Sequence, residues 1–138
     1  MRQRIDRTPE VMFIFPILYE LSDKNGRAKC EEIIHAIERR AGDQLTDVDW
    51  EPLPKSGQIR WKNTVKQAKR WLIHNGCMRP VEEFGEWVLT DEEGPSLCLL
   101  LGTGHTVEWT REGGARVVKV GRGLYEPLMR KTEEVGRP

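Results

Sequence analysis

Apolar residues recur every three or four positions in three separate stretches of the amino-terminal half, the spacing of amphipathic helices. In the first stretch Val11, Phe15 and Leu18 form one row and Ile14, Ile17 and Leu21 the next, which predicts a mostly buried helix from Thr8 to about Ser22. Thr8, Pro9 and Glu10 are its expected start: a hydroxyl to accept from free amides, a proline at the first helical position, and an acid favoured by the helix dipole. Pro16 should bend or split this helix, because it lacks an amide donor and crowds the carbonyl four residues back. Asp23 to Gly26 has turn chemistry. A second helix follows, with Cys30, Ile33, Ile34 and Ile37 inward, Glu31, Glu32, Glu38, Arg39 and Arg40 outward, and Gly42 closing it. The third is the clearest, running from Ile59 to about Asn75 and stopped by Gly76. Its Trp61, Val65, Ala68 and Leu72 fall in one narrow arc when wound at about 100° per residue, so they face the core.

The pattern then changes period. Residues 43–57 have no periodicity and carry Pro52 and Pro54, which reads as a connecting loop with room for one short helical turn. Beyond Met78 and Arg79, the stretch Pro80 to Gly85 separates two extended pieces, the second being Glu86 to Thr90, and a hairpin results. Further strands are expected at Leu97–Leu101, His105–Trp109 and Arg116–Val120. After Gly121 the pattern fades, with Leu124–Met129 able to dock and Lys131–Pro138 expected to be mobile. The fold class is therefore α+β. Three helices followed by a hairpin is the winged helix-turn-helix order, here as a unit over residues 1–94, with a β-strand extension over 95–123 and a tail over 124–138.

Size and composition narrow the setting. A chain of 138 residues suits one compact domain, and buries roughly two-thirds of the surface its unfolded chain exposes. Three cysteines without framework spacing point to reduced thiols and a cytoplasmic location. No apolar run approaches the length of about 20 residues that spans a bilayer, and the arginine-rich start has no signal-peptide core, so no membrane partner is expected.

Lys plus Arg and Asp plus Glu both number 22, and bulk charge names no partner. Its placement does. Residues 55–79 hold seven bases and no acid, while 81–95 hold six acids and no base. On the third helix Arg60, Asn63, Lys66, Gln67, Arg70 and His74 lie opposite the core row, with Lys62 beside them. Lys55 and Ser56 precede the helix and Arg79 follows it. These ten residues are the candidate DNA-binding set. Cations neutralise phosphates and release condensed counterions, Asn63 and Gln67 have the carboxamides that read base edges, and a helix fits the major groove. A solvated, charge-rich helix face is the competing explanation of the same residues.

Ser56-Gly57, Trp61, Asn63, Val65, Ala68, Leu72 and Gly76, followed by Gly85-x-Trp87-x-Leu89-Thr90 and Gly94, resemble the amino-terminal winged-helix domain of Mrr-type restriction proteins. The resemblance covers roughly Pro9 to Gly94. It implies a DNA-binding module of restriction and modification systems, in some relatives a reader of methylated bases. The wing departs from that pattern, with Glu82, Glu83 and Phe84 before Gly85 where relatives carry bases. A fainter likeness links Gly123–Lys131 to the segment after the Pro-Pro-Tyr motif of amino-methyltransferases that carry this domain, but only Tyr125 of that motif is present.

Catalytic chemistry finds little footing. His74 with Cys77 and Cys30 with His35 do not converge as metal ligands, since side chains five apart on a helix diverge by about 140°. No serine or cysteine sits in a nucleophile motif, and Glu108, Glu112 and Lys119 lack a nuclease's aspartate partner. Gly102-Thr103-Gly104 reads as a turn rather than a phosphate loop. The expectation is a non-enzyme with no catalytic residues, metal or cofactor, binding plain or methylated double-stranded DNA, with an open strand edge available to a second copy as a homodimer. The alternatives are a protein-protein interaction domain using the acidic wing, of phage or mobile-element origin, or a catalytically inert methyltransferase fragment.

Overall fold

The computed structural model describes residues 7–80, 85–91, 97, 105–109, 115–119 and 124–125. Its elements make an α+β arrangement of three helices and antiparallel strands, compatible with the winged-helix order. The first element among the described residues is a 3-10 turn, Glu10–Phe13, that passes into α1, Ile14–Asp23. The helix changes from 3-10 to α between Phe13 and Ile14, in line with the expected split near Pro16. Pro16 is the third residue of α1, where a helix amide has no intrahelical acceptor, so its missing donor costs nothing. Thr8 does not cap this helix as its sequence suggests. Its amide and hydroxyl are both given to the Asp49 carboxylate, at 2.7 and 2.6 Å.

Asn25 and Gly26 turn the chain with positive φ values of 60° and 89° and lead into β1, Arg27–Lys29, a strand too short to leave a periodic signature. α2, Cys30–Ala41, follows at once, and its last residue is succeeded by a 3-10 turn at Gly42–Gln44. α3 spans Arg60–His74. β2, Glu86–Val88, pairs antiparallel with β1, setting Arg27 opposite Val88, Ala28 opposite Trp87 and Lys29 opposite Glu86. Its continuation pairs on the other side with the residues just after α3, through the Met78–Leu89 bridge and the bonds Arg79 N to Val88 O (2.8 Å) and Thr90 N to Cys77 O (3.1 Å). The expected hairpin is thus present at its base, with its second arm between two neighbours. Its tip, 81–84, lies outside the described residues.

The core is the inner face of all three helices and the sheet. Phe13, Ile14, Ile17, Leu18 and Leu21 meet Ile33 and Ile37 of α2 and the Trp61, Val65, Ala68 and Leu72 row of α3, with Ala28, Met78, Trp87 and Leu89 from the sheet. A separate ribbon joins β3, His105–Trp109, to β4, Ala115–Lys119, and β3 lies beside the 3-10 turn Glu10–Phe13. The strand expected from Leu97 is corrected at its first residue. Leu97 has helical backbone and packs on the core, and a short apolar run after Pro95-Ser96 serves a helix start as readily as a strand. Residues 98–101 lie outside the described residues. No helix among the described residues is long and apolar enough to cross a membrane.

The docking expected near Leu124 is present at Leu124 and Tyr125, both buried, while 126–138 lie outside the described residues. Tyr125 meets Phe15 and Tyr19 edge-on, and its hydroxyl donates to Glu20 Oε2 at 2.7 Å. Arg40 Nε reaches the same oxygen at 2.7 Å, and the guanidinium lies over the Tyr19 ring. Burial alone would lower the Arg40 pKa, but the Glu20 carboxylate outweighs it and carries the group above its ordinary value. Burial, the bond to Glu20 and the Glu20 charge all push the Tyr125 phenol well above its ordinary value of 10.0. An unfolded phenol ionises near 10 while this one does not, so its contribution to stability is whole below that pH and is lost above it. We expect unfolding free energy to fall by about 1.4 kcal/mol per pH unit above pH ~10 relative to Tyr125→Phe. Equal alkaline slopes for the two proteins in urea titrations would contradict this.

Candidate nucleic-acid interface

α3 begins without a side-chain cap at Ile59, and its first amides are taken instead by the preceding loop. Arg60 N donates to Glu51 O and Trp61 N to Asp49 O, both at 3.0 Å. The loop is fixed by Asp49, 1% exposed, whose carboxylate accepts from both donors of Thr8 and from Thr46 N at 2.8 Å, while Thr46 Oγ1 accepts the Asp49 amide at 3.1 Å. At the other end Gly76, with φ 77°, lets Cys77 N return to Leu72 O at 2.8 Å. The buried row Trp61, Val65, Ala68 and Leu72 is fully inaccessible, which fixes the rotation of the helix about its axis.

That rotation sorts the ten candidate residues. Asn63, Lys66, Gln67, Arg70 and His74 occupy an arc of about 100° opposite the buried row. Arg70 and His74 are exposed, and Asn63, Lys66 and Gln67 are half-buried. Among the described residues no carboxylate lies within ion-pair distance of Lys66 or Arg70. Lys62 is on one flank, its Nζ 4.0 Å from Glu38 Oε1 and 5.8 Å from the Trp61 ring centre. Arg60 is on the other flank, with its Nε buried and lacking a hydrogen-bond partner among the described residues. Lys55 and Ser56 lie in the exposed turn before the helix, where Ser56 Oγ accepts the Gln58 amide at 3.2 Å. Arg79 belongs to the sheet rather than the helix, with a guanidinium nitrogen 4.0 Å from Asp91 Oδ2. Five of the ten thus share one stripe, Arg60 and Lys62 flank it, Lys55 and Ser56 precede the helix, and Arg79 stands apart on the sheet.

The two sides of the stripe differ. Between α2 and α3 a groove of about 380 Å³ is lined by Glu31, His35 and Glu38 facing Lys62 and Lys66, with Cys30 at its floor. Burial raises the Cys30 thiol, with Lys66 pulling it down and Glu31 pushing it up, so it is not an activated nucleophile. Lys69 is half-buried near the same Cys30, its ammonium 5.4 Å from the Trp87 ring centre, and burial lowers its pKa, with Cys30 opposing and Arg70 and Lys66 adding to the lowering. The cationic field is therefore open around Arg70 and His74 and shared with carboxylates toward α2. No three His, Cys, Asp or Glu side chains among the described residues converge on a metal-sized site. Tyr125, the residue of the methyltransferase likeness, is a core side chain bonded to Glu20.

Sequence reasoning missed Arg27, because β1 itself was missed, and Asp49, whose role depends on Thr8 lying 41 positions away. Trp50, 37% exposed and edge-on to Trp61 at 5.6 Å, also escaped, since nothing in an aperiodic loop signals which side a ring will face. No curated protein and no solved structure matches the chain. Residues 11–95 match the Mrr N-terminal domain, a span that takes in α1, α2, α3 and the β1–β2 sheet. With more than half of its length covered by that match, and the helix-and-sheet frame falling inside it, the chain belongs to the Mrr N-terminal domain family.

Proposed function

We propose that this chain is a DNA-binding module of a restriction system, with α3 as the helix that enters the major groove of a winged-helix fold. The observation that carries the reading is the stripe of Lys66, Arg70, Asn63, Gln67 and His74, aimed away from the core with two cations free of carboxylate partners among the described residues. Lysine and arginine on such a stripe neutralise phosphates, and the carboxamides of Asn63 and Gln67, one turn apart, meet base edges. Lys55, Ser56, Lys62 and Arg60 would add backbone contacts around the helix. Family membership supports a restriction context and a binding role without catalysis.

Fluorescence anisotropy with plain, adenine-methylated and cytosine-methylated duplexes tests this directly. The expected result is binding whose log K falls with log salt at a slope of several units, the sign of several phosphate contacts. Absence of binding to all three at low salt would overturn it, and a preference among the three would identify the base that the stripe reads.

A further inference from the structure

The outer face of the sheet carries a second pair of cations that α3 does not supply. Arg27 stands directly opposite Val88 across the β1–β2 ladder, and Arg79 faces the same residue from the other side, giving its amide to Val88 O at 2.8 Å. Residues level with one another on adjacent strands project to the same face, so the two arginines flank Val88, itself only 7% exposed, on the face opposite Ala28 and Trp87. They border a cleft of about 420 Å³, completed by Ser22, Asn25, Thr90 and Asp91.

The charge balance of this cleft is uneven. Arg27 and Arg79 are both exposed, and Arg27 has no carboxylate within ion-pair distance among the described residues. Arg79 is 4.0 Å from Asp91, whose side chain is 92% exposed and so is easily displaced. The α1 C-terminus borders the cleft and opposes an anion, but its Leu21 O and Ser22 O accept from Lys24, Asn25 and Gly26, and the two full guanidinium charges exceed its partial one. Two guanidinium forks on one face suit a tetrahedral oxyanion that can accept from both, with Ser22 and Asn25 lining the same cleft, while the Thr90 hydroxyl is already given to Gly76 O at 2.8 Å.

We propose that the Arg27–Arg79 cleft binds a phosphate group, which on duplex DNA is a backbone phosphate beyond the α3 footprint. The cleft stands on its own geometry, and its assignment to duplex rests on the DNA-binding reading above. Two measurements on the full chain separate them. In duplex titrations Arg27→Ala should bind about 5-fold more weakly at 0.15 M salt, with a log K against log salt slope shallower by about 1, while Arg27→Lys keeps most of the slope. In NMR titrations with inorganic phosphate at constant ionic strength, the Nε–Hε signals of Arg27 and Arg79 should shift together and saturate. Signals that move with phosphate while the intact chain ignores duplex would keep the cleft, assign it to free phosphate or a phosphate monoester, and sink the DNA reading. Wild-type duplex affinity and slope in Arg27→Ala, together with unmoved arginine signals, would sink the cleft and leave the α3 stripe untouched. Arg27 is exposed, so a matching melting temperature will show that the variant is folded.

Discussion

Replacing Lys66 and Arg70 together by glutamate is expected to weaken duplex binding by about 100-fold at 0.15 M salt and to flatten its salt dependence by about two units of slope. The size follows from counterion release. Each phosphate contact contributes a slope of about 0.9, worth about 5-fold at that salt, so losing two costs about 30-fold and reversing their sign adds repulsion. These two side chains are the right pair to change because neither has a carboxylate within ion-pair distance among the described residues, although Lys66 also faces Glu31 and Glu38 across the α2–α3 groove. Both sit on the side of α3 opposite the inaccessible row, and the unfolding transition of the variant should match the parent. Lys62→Glu makes the useful comparison, since its ammonium is already shared with Glu38 at 4.0 Å and a smaller loss is expected. Equal affinity for the double variant and the parent would remove α3 from any contact with DNA.

The second large effect concerns stability. Asp49→Ala should lower the unfolding free energy by about 3 kcal/mol and the melting temperature by roughly 10 °C. Three donors aim at this buried carboxylate, from Thr8 N, Thr8 Oγ1 and Thr46 N, at 2.6 to 2.8 Å. A hydrogen bond to a charged group contributes about 1.5–3 kcal/mol, but the freed Thr8 can recover water, so the three do not add in full. The loss also loosens the loop whose carbonyls receive the first two amides of α3. Asp49→Asn keeps one acceptor oxygen and should fall between the two. A urea-unfolding change below about 1 kcal/mol would show that the loop holds its shape without the carboxylate.

The helices and the sorting of their faces were legible in the sequence because each rests on short-range periodicity. Trp61, Val65, Ala68 and Leu72 announce the buried side of α3, and all four are fully inaccessible. The turn at Asn25-Gly26 and the stop at Gly76 were legible for a similar reason, since positive φ is a local demand met by few residue types. What escaped was non-local. β1 is three residues long and becomes a strand only through its pairing with β2. Thr8 has the chemistry of a helix cap, yet a carboxylate far along the chain outcompetes the neighbouring amides for it. On the candidate interface, sequence spacing placed Lys62 with the other cations but could not show that Glu38 of a different helix stands against it. Arg27 was invisible as a partner of Arg79 because their shared face exists only across strands.

The knot between Glu20, Arg40 and Tyr125 bears on where this domain can be cut. Its phenol comes from outside the span 11–95 that matches the family, and Thr8, the partner of Asp49, falls outside at the opposite border. A fragment trimmed to the homologous segment would leave Glu20, 1% exposed, with Arg40 but without its phenol donor, and would strip Asp49 of two donors. A clone that reaches past both borders of the matched span is expected to keep these bonds and to melt higher than one cut at them.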